Sequence, residues 1–201
     1  MHITRHSRVS GAQLDLLWAL YERCYRFTAV EAVTREMLYR SEFEDAVLDP
    51  ANRLWVLWEA DQPVGMLMLA TDVAATRYLS RGYLERRYPD KMAHGLVRYV
   101  LWVVVDGDRT SLADTIKLGR TAFALEAAEG SVVVFDVPAT NYGTRGALPE
   151  LARRVAQLVG DTTFREIEVQ HYYALEFNRA QDASFDLASF PAHIDGRVHS
   201  Q

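Results

Sequence analysis

Between Arg98 and Asn141 the chain changes hydrophobic period twice, and nothing else in it limits the fold as strongly. The run Tyr99–Asp106 (Y-V-L-W-V-V-V-D) is β-branched and aromatic almost throughout. It is too continuous for a strand with one wet face and predicts a strand buried on both. From Ser111 the apolar residues Leu112, Ile116, Ala122, Phe123 and Leu125 follow helical spacing, and Glu129-Gly130 stops the helix. Val132–Val137 is a second buried run. A strand, a crossover helix and a parallel strand form a right-handed β-α-β unit. Ligands of such units bind beyond the carboxyl ends of the strands, where the helix N-terminus also points. In this chain that place is Asp106 to Ser111.

The remaining segments build one domain around this unit. With 201 residues, 49% of them hydrophobic, the chain can bury one full core, and its length does not require a second. Residues 1–177 are expected to form that domain and 178–201 a polar C-terminal tail. Ile3–Val9 alternates weakly, as a short first strand would. Leu14, Leu17, Trp18, Tyr21, Cys24 and Tyr25 share one helical face between Ala12 and Phe27. A second helix is predicted over Thr34–Val47 and ends at Asp49-Pro50. Arg53–Ala60 and Pro63–Thr71 flank Asp61-Gln62 as a hairpin, with Trp55 and Trp58 as sheet aromatics and Gly65 marking a bulge or a close backbone approach. Leu148–Val159 reads as a late helix and Phe164–Phe177 as a long final strand.

Composition excludes several classes. A net charge of −5 argues against a dedicated nucleic-acid binder. The single cysteine, Cys24, permits neither a disulfide framework nor a cysteine zinc cluster, and it reads as a small buried hydrophobe. None of the six histidines shows ligand spacing such as H-E-x-x-H, so no metal site is expected. The first residues lack a signal-peptide core, and no run approaches the roughly 18 apolar residues of a membrane span. A soluble, cytoplasmic protein with no membrane partner is expected. One segment departs from the acidic background. Arg77–Arg98 carries six cations against two carboxylates, interleaved with Tyr78, Leu79, Tyr83, Leu84 and Tyr88. It reads either as an amphipathic helix with a solvated basic side or as a docking surface for an anionic partner.

The order strand, two helices, hairpin, buried strand, helix, strand, helix and final strand resembles the GCN5-related N-acetyltransferase (GNAT) fold. D-P-A-N-R-L-W-V-L-W-E-A-D-Q-P-V-G-M-L-M-L-A is similar to that family's paired strands, in which a short turn precedes a valine-glycine. Asn141 stands where members often keep an asparagine, and L-P-E-L-A-R-R-V-A-Q-L-V-G followed by Phe164 resembles their last helix and strand. The resemblance spans Ile3 to Phe177 and implies an α/β (α+β) fold with a mixed central sheet of six to seven strands. It departs from the family at the loop after the fourth strand, where members carry an Arg/Gln-x-x-Gly-x-Gly/Ala turn that binds the pyrophosphate of coenzyme A. This chain has D-G-D-R-T-S-L-A-D: Arg109 matches the basic position, but Thr110, Leu112 and Asp114 stand near the expected glycine or small positions. Asp106, Asp108 and Asp114 add negative charge there.

The resemblance implies an acyltransferase that moves an acyl group from a thioester, acyl-CoA or a phosphopantetheine-linked acyl-carrier protein, to an amine of a small metabolite. It also leaves open a tRNA-dependent aminoacyl transferase, with carrier or tRNA docking at Arg77–Arg98, and a non-catalytic binding or scaffold protein. Val104, Val105, Arg109, Thr110, Ser111 and Asn141 are the implied donor-binding residues. For catalysis, Asp106 can take a proton or orient an amine, or else cap the helix start. Tyr142 can donate a proton, and His171 can act as a base near neutral pH. Asp136, a carboxylate in a buried strand run, must be paired or functional. With His94, Arg98 and Tyr173 it completes the candidate substrate contacts. The oligomeric state stays open, with pairing of the tryptophan-bearing hairpin across a dimer as one option.

Overall fold

A computed structural model describes residues 1–6, 9–32, 37–76, 78–138, 148–174 and 176, with 27, 28 and 31 as backbone only. The chain divides into two compact units, Met1–Phe164 and Arg165–Gln201. In the first, β1 (His2–His6), β2 (Asn52–Glu59), β3 (Gln62–Ala70), β4 (Val97–Val105) and β5 (Val132–Val134) lie in sequence order in one sheet. The first three pairings are antiparallel and β4–β5 is parallel. The helices are α1 (Ala12–Glu31), α2 (Arg40–Leu48), α3 (Arg81–Arg87), α4 (Pro89–Ala93), α5 (Leu112–Glu129) and α6 (Leu148–Gln157). The β-α-β unit predicted from the stretch between Arg98 and Asn141 is therefore β4–α5–β5. Gly130 ends α5 in the left-handed region (φ 66°), a conformation that favours glycine.

Alternation along β2 explains how both sheet faces come to be buried. Leu54, Val56 and Trp58 pack with Leu17, Leu20, Tyr21 and Val47 of α1 and α2, whereas Trp55 and Leu57 pack with Leu118 and Ala122 of α5. An aromatic cluster anchors the first face. Phe43 is fully buried, with the rings of Trp18, Tyr21 and Trp102 at 5.4, 5.2 and 5.6 Å. Cys24 packs at the margin of this cluster, and burial pushes its thiol up from its ordinary value. Gly65 fits both of its sequence readings: the β2–β3 register shifts beside it, and a Cβ there would lie 3.5 Å from Leu118.

Fewer strands are described than the sequence suggests. Five strands replace the six to seven expected, and residues 164–174, read from the sequence as strand, have no regular secondary structure. The alternation of Ile167 and Val169 with charged residues does not bury a face, because Val169 is 59% exposed. The basic segment forms two short helices rather than one, because Pro89 starts a new helix at N1 instead of closing the old one.

A relay of hydrogen bonds ties β1 to β2. Trp58 Nε1–H donates to Thr4 Oγ1 (2.6 Å), and Thr4 Oγ1 lies 2.6 Å from His6 Nε2. The indole can only donate, so Thr4 Oγ1 accepts from Trp58 and links that ring to His6. Burial lowers the His6 pKa from its ordinary 6.5. The unfolded chain therefore binds the proton first as pH falls. Stability is expected to be full above pH 6.5 and to decline as pH falls through and below that value. Urea titrations across that range should show a flatter slope in His6→Asn; an unchanged slope would remove His6 from the effect.

Candidate functional site

The sheet forks between β4 and β5. Pairing runs from Val97↔Val132 through Arg98↔Val133 to Tyr99↔Val134 and stops there, while β4 remains paired with β3 as far as Gly65↔Val105. Residues 100–105 therefore run on for roughly 20 Å without a β5 partner. Val103 on this stretch is 47% exposed despite its apolar side chain. Just above the apex, the β3–β4 register passes from Leu69↔Val100 to Met68↔Trp102, which leaves Leu101 as an extra, bulged residue. Past the apex Phe135 stacks on Phe164 (6.2 Å), and the chain takes no further strand pairing through Pro138.

At the apex, Tyr99 donates its hydroxyl to Asp136 Oδ1 (2.6 Å), and the Tyr78 ring stacks on Tyr99 at 5.6 Å. Asp136 has a partner, as the sequence required, but it is exposed and lies past the end of β5 rather than inside a buried strand. Tyr99 and Tyr78 were not singled out in the sequence, because tyrosines within an apolar run and a basic segment carry no signal of their own.

At the mouth, Asp106 is 8% exposed and its groups are fully engaged. Its carboxylate accepts from Arg23 of α1 (2.8 Å) and from the Asp108 amide (3.3 Å). Its carbonyl accepts from the Arg109 and Thr110 amides and the Thr110 hydroxyl. Asp106 thus holds the turn between β4 and α5. Arg109 reaches back to the end of β2 and pairs through its Nε and a terminal nitrogen with Glu59. Ser111 caps α5, and a capping box with Asp114 closes it: Asp114 accepts from the Ser111 amide (3.0 Å) and hydroxyl (2.6 Å) and returns its own amide to Ser111 Oγ (3.2 Å). Those hydrogen bonds pull the Asp114 carboxyl below its ordinary range. Arg23 and Glu59 lie far from this loop in sequence, and only the fold reveals them as part of the mouth.

Two candidates sit at the other end of β4. Arg98 is 3% exposed and belongs to a charge tetrad with Arg53, Glu126 and Glu129. Seven residues separate it from Val105, about 23 Å of strand, which takes it out of any site at the mouth. His94 caps α4 with its Nδ1 2.6 Å from the Asp90 carbonyl, beside the amino end of β4. Both are engaged by groups of the protein itself at the amino end of β4. The basic surplus of their segment is also largely engaged: Arg81 pairs with Glu85, and Lys91 donates to the Gly130 carbonyl (2.7 Å) at the end of α5. Arg86 and Arg87 remain exposed.

Asn141 and Tyr142 lie outside the described residues. His171 and Tyr173 belong to the second unit, where their rings lie 6.5 Å apart. Among the described residues, no group of three potential metal ligands occurs, and no helix is long and apolar enough to cross a membrane.

The coenzyme A diphosphate implied by the resemblance does not fit this loop. The capping box takes up the Asp114 amide, the one matching arginine is paired with Glu59, and the loop carries Asp106, Asp108 and Asp114.

No family model matches the sequence, and no curated protein matches it. Solved structures do share its fold. An aminoglycoside acetyltransferase, meta-AAC0020, from an uncultured soil metagenomic sample and in complex with sisomicin, is 14% identical. The match covers 87% of this chain and 96% of that one, with a TM-score of 0.50. A probable acetyltransferase is 17% identical over 89% of this chain and 100% of its own, also at 0.50. A point mutant of the BH1408 protein of Bacillus halodurans is 11% identical over 86% and 100%, at 0.51. The forked five-stranded sheet with helices on both faces is the fold of the GCN5-related N-acetyltransferases, in a divergent form.

Proposed function

We propose that this protein is an N-acyltransferase that passes an acyl group from a thioester donor to an amine of a small metabolite. The observation that carries this reading is the fork: β4 continues past its last β5 partner and offers the backbone of residues 100–105 to an extended, amide-bearing arm. The same fold in acetyltransferases, one of them in complex with sisomicin, supports it. Val104 and Val105 would pair with the arm near the mouth, and the thioester would lie toward the apex. There the amine nitrogen attacks the carbonyl carbon, the C–S bond breaks, and the sulfur leaves as thiolate. Asp136, held by the Tyr99 hydroxyl, attracts the ammonium form and accepts the proton the nitrogen loses on its way to solvent. Asp106 and Thr110 shape the mouth, and Ser111 starts α5. Tyr142 remains the proposed proton donor to the leaving thiolate, Asn141 a donor contact, and His171 and Tyr173 further proposed contributors.

Thiol release measured with acetyl-CoA and with acetylpantetheine, against a panel of primary amines, tests the reading. Release that requires both donor and amine is expected. No amine-dependent release with either donor, together with no thermal shift on adding them, would leave a ligand-binding relative of these enzymes.

A further inference from the structure

We propose that the mouth of the fork selects against donors that carry a diphosphate, with Glu59 as the selecting residue. The inference rests on the acyltransferase reading for its biological meaning but on the loop alone for its physics. Glu59 ends β2, and its carboxylate occupies Arg109, the arginine of the β4–α5 loop. Both side chains are substantially exposed, 37% for Arg109 and 47% for Glu59, so the pair forms at the surface of the loop rather than within the core. The only other arginine paired at the mouth among the described residues is Arg23, and it is bound to Asp106. Glu59, Asp106, Asp108 and Asp114 thus bring four carboxylates to the loop, against Arg23 and Arg109 and, near Asp114, Lys117 and the N-terminal amine. A diphosphate that is to pair with Arg109 must displace Glu59, in a loop that also carries Asp108 and Asp114.

The helix terminus offers little in return. Helix N-termini hold anions through unpaired amides, and at α5 the Ser111–Asp114 box uses the Asp114 amide and places a carboxylate at the amide of Ser111. The anion position is thus filled by the chain's own aspartate. An uncharged arm meets none of this, because residues 100–105 present backbone and apolar side chains. The two parts of such a donor are read separately: the arm by the strand, the charged end by a loop that rejects it.

Equilibrium binding of coenzyme A and of pantetheine, which lacks the diphosphate, provides the test without recourse to activity. The wild type is expected to bind coenzyme A no more tightly than pantetheine. Glu59→Gln/Asp108→Asn removes two exposed charges and no helix cap, and is expected to gain about tenfold for coenzyme A with no change for pantetheine. Adding Arg109→Gln to the double variant should cancel the gain, since the freed guanidinium supplies it. Circular dichroism confirms that each variant is folded. A wild type that prefers coenzyme A by tenfold or more overturns the inference. So does a double variant whose affinity for coenzyme A is unchanged or undetectable. Failure of acyl transfer with every donor would instead remove the enzymatic reading and leave the selectivity result standing.

Discussion

Replacing Glu126 by alanine is expected to lower stability by about 3–5 kcal/mol, the range for removing one partner from a buried ion pair. Glu126 is 2% exposed and accepts from Arg53 at one oxygen (2.6 Å) and from Arg98 at the other (3.0 Å). Glu129 closes the ring, with Arg53 at 2.9 Å and Arg98 at 2.8 Å. Burial alone would raise the Glu129 carboxyl, but the two arginines carry it below its ordinary range. Without Glu126, Arg98 stays buried with a charge only half answered, and that desolvated guanidinium is the source of the penalty. Urea denaturation should show a lower midpoint at unchanged slope, and the thermal midpoint should fall by on the order of 10 °C for a domain of this size. A loss below about 1 kcal/mol would mean the tetrad contributes no more than a surface pair. Replacing all four residues by apolar side chains of similar volume is expected to be neutral or stabilising, because the desolvation penalty disappears with the charges.

The tetrad also shows where the sequence was readable and where it was not. Periodicity found β4, α5 and β5 because each must bury a continuous face, and those faces are written locally. The same local reading placed Arg98 at the entrance of the central strand and assigned it to a substrate. What decides its role lies elsewhere in the chain: Arg53 on β2, and two glutamates in the last turn of α5, where carboxylates oppose the helix dipole. Acidic residues at that unfavourable end were a signal of a cationic partner, but they do not identify which one. Asp106 repeats the pattern. Its position at the end of β4 was legible, whereas its engagement by Arg23 depends on α1 returning across the sheet. The fork itself could be expected only through the resemblance, because Asp136 interrupts the run from Val132 to Val137 without showing that pairing ends at Val134.

Asp136→Asn is expected to reduce kcat/KM for amine acylation by about 10²-fold or more, the scale of losing a positioned proton acceptor, while leaving the thermal midpoint nearly unchanged. Asp136 follows the last paired residue of β5 by two positions and is held by Tyr99, so it stands where the fork closes. It is exposed, and the Tyr99 hydroxyl can still donate to the amide oxygen of the asparagine. Asp106→Asn is expected to show the opposite pattern. Its carboxylate belongs to a residue only 8% exposed and is engaged by Arg23 and by the Asp108 amide. Loss of that ion pair should lower stability, while kcat stays within about tenfold of wild type. Steady-state kinetics at fixed donor concentration, paired with thermal melts of the same samples, separate the two. If Asp106→Asn abolishes turnover without loss of stability while Asp136→Asn is silent, the reaction takes place at the mouth, roughly 20 Å along β4 from where the present reading puts it.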